Sequence, residues 1–211
     1  MRTTSLNHAS VVSSQLFTFL ATSQKLRRLL VPQNLFLSPY EILDYHATLT
    51  LHDQCGMHAT FERTQRIRFL QDRVGAILDH LWGDGVLVTD YETDAGNISD
   101  SVRDRGVRHL VIRLRRVMAR GEEFTFSISR TAISGFTKPE EYLETIIDHP
   151  IGHVRCSVIF PTGRPCRFAT SSFGEELTDL PVTRREDGRS TITMDVARPL
   201  PDAAYTIRWT W

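Results

Sequence analysis

The sequence has few cysteines and no long apolar segment. Its three cysteines, Cys55, Cys156 and Cys166, are an odd and scattered set, which does not make a disulfide framework and indicates a reducing compartment. No apolar run reaches the length of about 18 residues that a membrane-spanning helix needs. We therefore expect a cytoplasmic protein without disulfide bonds and without a membrane span.

The sequence also lacks net charge, because 25 basic residues balance 25 acidic ones. A neutral chain has no global attraction to nucleic acid or to acidic substrates. The balance is uneven along the chain, since residues 1–40 contain no Asp or Glu and four Lys or Arg. This break in composition separates an N-terminal segment from the rest.

The N-terminal segment has apolar residues at mostly helical spacing, which predicts an amphipathic helix over residues 10–30 that ends before Pro32. Three interpretations stay open: a helix packed on its own domain, a helix that docks on a partner protein, and an organelle-targeting segment. For partner binding, the candidate contact residues are Leu16, Phe19, Leu20, Leu26, Arg27 and Leu30.

From residue 39 onward, apolar and polar residues alternate with a period of two, as in β-strands with one buried face. The clearest case is the final segment, where Tyr205, Ile207, Trp209 and Trp211 alternate with polar residues. Eight or nine such segments, mostly joined by hairpins, predict a mainly β protein built as an antiparallel β-sandwich, immunoglobulin-like or similar. The predicted domains are a helical extension, 1–38, and a β-sandwich domain, 39–211.

Four segments depart from alternation. Asp72 has the position of an N-cap for one short inserted helix, and 137–140 has the form of a capping box, with a strand from about residue 143 as its alternative. Segments 94–106 and 175–190 are polar and predict loops. The apolar residues of the inserted helix are Val74, Ile77, Leu78 and Leu81.

The best metal candidates are His52, Cys55 and His58 in a predicted hairpin loop. Zinc accepts nitrogen and sulfur ligands of this kind, and a hairpin would bring the two histidines opposite each other. A fourth protein ligand is missing, so an exposed polar loop is the favoured interpretation. We expect no cofactor.

Two pairs of residues invite a catalytic interpretation. His153 and Cys156 are three apart on a predicted strand and so point to opposite faces, which disfavours a nucleophile pair and predicts a buried Cys156. Asp148 and His149 precede Pro150 and are a candidate general-base pair for a hydrolase with a loop-built site. No serine in a strained turn accompanies them, so a structural corner is favoured.

Arginines on predicted strands raise nucleic-acid binding as another alternative. Arg66 and Arg68 lie on one strand, and Arg113 and Arg115 on another. Single-strand binding by a sheet normally adds exposed stacking aromatics, and here the aromatics alternate with the arginines onto the buried face. Cross-strand ion pairs are therefore favoured. On the opposite face of the first strand, Arg63 is expected near the exposed end.

Three stretches carry a resemblance: Glu144-Thr-Ile-Ile-Asp-His-Pro150, Val158-Ile-Phe-Pro161, and Tyr205-x-Ile-x-Trp-x-Trp211. Over about residues 40–211 the chain resembles uncharacterised β-sandwich modules of bacterial signalling and defence proteins. Such modules accompany caspase-like proteases, TIR domains or NTPases. The resemblance implies a bacterial accessory role and assigns no catalytic residue.

The favoured function is a non-enzymatic interaction or regulatory module of a bacterial cytosolic signalling or defence assembly. Its candidate contact elements are the 10–30 helix and the hairpin tips near Cys55 and Gly121. The alternatives are a hydrolase that uses Asp148 and His149, and nucleic-acid binding through the arginine-bearing strands.

Overall fold

The computed structural model describes residues 38–81, 90–104, 107–147 and 150–211. Contacts group residues 39–211 into one compact unit. The predicted 10–30 helix with its candidate contact residues, and the candidate pair Asp148 and His149, lie outside the described residues. In the part of the chain that is described, no helix is long and apolar enough to cross a membrane.

The described residues form strands and no helix, which confirms the mainly β prediction. In chain order the strands are β1 Tyr40–Leu51, β2 His58–Phe69, β3 Val74–Leu81, β4 Tyr91–Thr93, β5 Gly96–Asp104, β6 Val107–Met118, β7 Glu123–Ile133, β8 Glu140–Ile147, β9 His153–Phe160, β10 Phe168–Phe173, β11 Glu176–Asp179, β12 Thr183–Arg184, β13 Ser190–Ala197 and β14 Ala203–Thr210.

The strands form three sheets. The seven-stranded sheet has the order β12-β13-β9-β1-β2-β7-β4, the four-stranded sheet β11-β10-β14-β8, and the three-stranded sheet β3-β6-β5. In the largest sheet β1 runs parallel to β9, with Tyr45 beside Val154, while its other pairs are antiparallel. The predicted antiparallel β-sandwich is therefore not confirmed, because there are three sheets and one is mixed.

The hydrophobic core draws buried side chains from all three sheets. On β14 the alternation predicted from the sequence is confirmed, since Trp209 and Trp211 are 1% and 4% exposed. Both tryptophan rings contact the ring of Phe160 from β9, with centroids 5.8 and 6.0 Å apart. The aromatic residues of β14 therefore hold the four-stranded sheet on the inner face of the seven-stranded sheet.

The predicted inserted helix is wrong, because residues 74–81 form β3, which pairs with β6. The alternation there is that of a strand, with Ile77 buried and Leu78 exposed. The spacing of the apolar residues is that of a helix and places apolar side chains on both faces of the strand. The strand forms because β6 supplies partners for the backbone groups of β3. Asp72 caps no helix; its Oδ1 accepts a hydrogen bond of 3.0 Å from the backbone N–H of Arg120.

Three other segments also contain strands. Part of the predicted loop 94–106 is β5, which pairs with β6, and the predicted loop 175–190 contains β11 and β12. The predicted capping box opens a strand, β8, although Glu141 does accept a hydrogen bond from the backbone N–H of Lys138 at 2.7 Å. Propensity for turns was outweighed at all three places by pairing with a neighbouring strand.

Candidate functional site

A cluster of histidine and aspartate side chains lies on the outer face of the seven-stranded sheet, the face opposite the core. Asp44 and His46 come from β1, two residues apart and therefore on one face. The parallel pairing of β1 with β9 brings His153 beside Asp44, and β13 adds Asp195 on the far side of β9. Three strands thus supply the cluster, and β1 is far from β9 and β13 in the sequence.

Two of the contacts in this cluster define the position of His153. Its Nε2 lies 2.6 Å from Oδ1 of Asp195, a hydrogen-bond distance. Its Nδ1 lies 4.0 Å from Oδ1 of Asp44, which is too long for a hydrogen bond. The ring of His46 meets the ring of His153 edge-on, with centroids 5.6 Å apart. One ligand atom from each of Asp44, His46 and His153 lies within 4.8 Å of the other two.

In each of the two aspartates of the cluster, Asp44 and Asp195, an arginine contacts Oδ2, the carboxylate oxygen that faces away from His153. Arg66 donates from Nε to Oδ2 of Asp44 at 2.9 Å, and its Nη2 is 2.6 Å from the same oxygen. Arg155 approaches Oδ2 of Asp195 at 3.3 Å through Nε. Each carboxylate is thus fixed through one oxygen and turns the other towards a histidine. Two imidazoles and a carboxylate form a donor set that transition-metal ions accept.

The candidate ligands predicted from the sequence, His52, Cys55 and His58, are not brought together. His52 Nε2 is 2.7 Å from the hydroxyl of Thr60, and His58 Nδ1 is 3.2 Å from Asp53 Oδ2. The carboxylate of Asp53 also accepts three backbone N–H groups of the loop, those of Cys55, Met57 and His58. Although desolvation opposes it, these donors lower the Asp53 pKa, so the carboxylate organises the turn.

The same loop requires glycine at position 56. Gly56 has a φ of +69°, as its place in the predicted hairpin suggested. A Cβ at this position would lie 1.7 Å from the carbonyl oxygen of Phe136 and 3.0 Å from the ring of Trp211. The hairpin loop is therefore packed against the segment that follows β7, which accounts for its fixed shape.

Cys156 is buried, as its position on β9 predicted, and its Sγ lies 3.3 Å from the hydroxyl of Thr145. Burial raises the pKa of the Cys156 thiol to about 11, so the group is protonated near neutral pH and is a poor nucleophile. His153, three residues earlier, faces the other side of the sheet. The two do not form a catalytic pair.

A buried ion pair links the seven-stranded and three-stranded sheets. Arg63 of β2 was expected near an exposed end, but its side chain is 13% exposed, and Nη2 lies 2.8 Å from Oδ1 of Asp79 on β3, which is 2% exposed. Tyr91 of β4 donates its hydroxyl hydrogen bond to Oδ2 of Asp79 at 3.0 Å. The sequence did not show this pair because the segment that carries Asp79 had the spacing of a helix.

The buried pair changes the titration of its neighbours. Burial alone would lower the pKa of Arg63, but the charge of Asp79 outweighs it and the pKa is raised. Burial raises the pKa of Tyr45, whose ring lies 5.7 Å from the Arg63 guanidinium, to about 12. Burial and the charge of Asp79 also raise the pKa of Tyr91. Since the buried pair and its two tyrosine neighbours come from four strands and lie inside the protein, we assign the pair a structural role.

The outer arginines of β2 are paired with carboxylates, as favoured from the sequence. Arg68 Nη2 lies 2.7 Å from Oε1 of Glu123 on β7, and Nη1 lies 3.1 Å from Oε1 of Glu41 on β1. Arg66 also reaches Glu123, at 3.3 Å. Hydrogen bonds from Arg68 lower the pKa of Glu123. These contacts neutralise Arg66 and Arg68, two of the four arginines that were considered for nucleic-acid binding.

The outer face of the four-stranded sheet is different in character. β14 places Thr206, Arg208 and Thr210 on this face, and strand register aligns the outward residues of β8, β10 and β11 with them. Large apolar side chains on this face are between 39% and 66% exposed: Tyr142, Ile146, Phe168 and Leu177. We call these four residues the apolar face.

The chain is similar in fold to parts of two solved structures. One is a mutant M1 zinc metallopeptidase of Deinococcus radiodurans bound to a Tyr-Ser-Ala substrate, with a TM-score of 0.51 and 14% identity over 80% of this chain and 42% of that chain. The other is a candidate protease of Parabacteroides distasonis, with a TM-score of 0.50 and 12% identity over 83% of this chain and 41% of that chain. No family model and no curated protein matches the chain.

These similarities show the fold alone, and the chain spans about two-fifths of the length of either structure. One common zinc-peptidase signature is H-E-x-x-H, with two histidine ligands and a glutamate base on one helix. None of the eight histidines of this sequence is followed by Glu. The chain therefore lacks that motif.

Proposed function

We propose that this chain is a non-enzymatic interaction module that docks on a folded partner protein through the apolar face of its four-stranded sheet. The single observation that carries the proposal is the exposure of Tyr142, Ile146, Phe168 and Leu177 on one side of one sheet. Large apolar side chains gathered on one exposed surface are typical of interaction sites.

Two further observations support the proposal. In both solved structures the matching part is about two-fifths of a longer chain. The fold therefore occurs covalently joined to other parts of a protein. The sequence also lacks the zinc-peptidase motif. Together with the resemblance to bacterial accessory modules, these observations favour an adaptor or regulatory role in a cytosolic signalling or defence assembly over an enzymatic one.

The test is a double variant of the apolar face, Phe168→Ser with Leu177→Ser. Both side chains are more than half exposed, so their loss leaves the core intact. The partner is identified by crosslinking the tagged full chain in the cells that produce it, and the affinity of the purified pair is then measured by calorimetry. We expect the double variant to bind at least about tenfold more weakly, since the few residues that dominate an interface cost about 2 kcal/mol or more when truncated.

Leu78→Ser is the matched control, because Leu78 is 55% exposed on the three-stranded sheet, outside the apolar face. Its affinity should equal that of the parent chain. Two results would contradict docking through this face: an equal loss of affinity in Leu78→Ser and in the double variant, or an unchanged affinity of the double variant for the crosslinked partner.

Deletion of residues 1–31 separates this surface from the N-terminal segment, the other candidate contact element. If the apolar face is sufficient, the deletion variant keeps the parent affinity. If binding disappears in the deletion variant while its circular dichroism stays that of a β protein, the segment around Leu16 to Leu30 is the contact element.

A further inference from the structure

We infer that Asp44, His46 and His153 form a binding site for one divalent transition-metal ion, with zinc the expected ion. The inference rests on the outer face of the seven-stranded sheet and is independent of the apolar face. Among the described residues, this is the group of three histidine, cysteine or carboxylate residues whose ligand atoms converge.

The spacing of the ligand atoms suits a shared ion. Zinc bonds to imidazole nitrogen and carboxylate oxygen are about 2.0–2.2 Å long, so two ligand atoms of a tetrahedral ion lie about 3.3–3.6 Å apart. The 4.0 Å between His153 Nδ1 and Asp44 Oδ1 is slightly longer than this spacing. The full set spans no more than 4.8 Å, so a small side-chain rotation of the exposed His46 closes the site.

The partners of the ligands are those that a metal site needs. A metal-binding histidine typically donates its other ring N–H to a carboxylate, which fixes the tautomer and directs the free nitrogen to the ion. Asp195 occupies this position, 2.6 Å from His153 Nε2, and leaves Nδ1 directed towards Asp44. Arg66 holds Oδ2 of Asp44 and leaves Oδ1 towards His153.

The types of ligand atom also determine which metal ions the site selects. Calcium and magnesium take six or more oxygen ligands, or keep several waters, whereas imidazole suits zinc, copper and nickel. Arg66 and Arg155 neutralise the two carboxylates, which removes the net negative charge that would attract a hard cation. We therefore expect no response to calcium or magnesium. Three protein ligands leave at least one coordination position to water.

The test is a zinc titration of the full chain after treatment with EDTA and its removal. Cys55 is exposed and can bind zinc by itself, so all proteins carry Cys55→Ser. Competition with a chromogenic chelator gives stoichiometry and affinity. We expect one ion per chain, and a loss of affinity of at least about 100-fold in His153→Gln and in His46→Gln, since loss of an outer partner alone costs about 10–100-fold.

Two matched variants make the test decisive. His52→Gln removes another exposed histidine, on the hairpin loop, and should leave zinc affinity unchanged. Asp195→Asn keeps all three ligands and weakens the orientation of His153, so its affinity should fall about 10–100-fold. Cobalt bound to the parent chain should show visible absorption bands that His153→Gln lacks.

Three outcomes would overturn the inference: zinc binding by His46→Gln and His153→Gln with the parent affinity, an equal loss in His52→Gln, or no zinc binding by the parent chain at micromolar concentrations. The variants concern the solvent face of the sheet, and thermal unfolding confirms that each protein is folded. A folded His153→Gln protein without bound zinc supports the site.

Discussion

Both faces of the seven-stranded sheet carry arginine–carboxylate ion pairs, which are buried on the inner face and exposed on the outer face. β2 alternates between them, so that Arg63 points into the protein while Arg66 and Arg68 point outward. Arg63 meets Asp79 in an enclosed position, with side chains 13% and 2% exposed. Arg68 meets Glu123 where both side chains are at least 40% exposed.

The comparison shows that burial decides what an arginine–carboxylate pair does. The inner pair joins two sheets, because Arg63 belongs to β2 and Asp79 to β3. Its role is to position the three-stranded sheet on the largest sheet, at a desolvation cost that hydrophobic residues would avoid. The outer pairs lie in solvent, where an ion pair contributes only about 0–1 kcal/mol.

The largest effect is expected at the inner pair. Asp79→Ala leaves the Arg63 guanidinium buried without its counter-charge, and breaking a buried pair in this way typically costs about 3–5 kcal/mol. Urea unfolding followed by tryptophan fluorescence measures the loss. The double variant Arg63→Met with Asp79→Leu removes both charges and should recover most of the stability. If Asp79→Ala unfolds at the urea midpoint of the parent, the inner pair does not hold the sheets together.

A smaller effect is expected at alkaline pH, again on the buried side. Burial raises the pKa of Cys156 from its ordinary 9.0 to about 11, and that of Tyr45 from 10.0 to about 12. The unfolded chain therefore loses these protons first, and the free energy of unfolding falls as pH rises from 9 through 12. Two pKa units correspond to a loss on the order of 2–3 kcal/mol for Cys156.

Urea unfolding at intervals between pH 8 and pH 12 measures this dependence. Cys156→Ala should reduce the decline between pH 9 and pH 11 by the share of that thiol. The shares of Cys166, whose pKa burial also raises to about 11, and of Tyr45 should remain. A free energy of unfolding that stays constant up to pH 12 in the parent chain would contradict the burial of both groups.

The smallest effect is expected at the outer pairs. Glu123→Gln removes the carboxylate that Arg66 and Arg68 share, yet both arginines keep a partner, Asp44 or Glu41. Exposed ion pairs contribute little and are screened by salt. The urea midpoint should match that of the parent at 0.5 M salt, and a loss as large as that of Asp79→Ala would remove the distinction between the two faces.

The sequence predicted the strands whose faces alternate clearly. The strand predicted to carry His153 and Cys156 is β9, and the final segment buries Trp209 and Trp211. The prediction failed at β3, because Val74, Ile77, Leu78 and Leu81 have the spacing of a helix, and pairing with β6 outweighs that pattern. That error also concealed the buried pair, since a helical segment would have placed Asp79 elsewhere.

The histidine cluster was missed for a different reason. Asp44 and His46 can be assigned to one face from their spacing alone, since strands repeat every two residues. Their neighbour His153 belongs to a strand that pairs in parallel with β1, and alternation carries no information on which strands pair or in which direction. The sequence could therefore indicate only the part of the site that lies on one strand, Asp44 with His46.

The parallel pairing of β1 with β9 also bears on how the protein folds. Tyr45 lies beside Val154 although about half of the chain separates them. The largest sheet is therefore complete only after β9, which is distant in the sequence, has paired with β1. Loop closure over such a distance is entropically costly and slows folding, which places this domain among slow-folding topologies. During synthesis, β1 and β2 emerge well before β9, and the edge of β1 stays open to other chains until then.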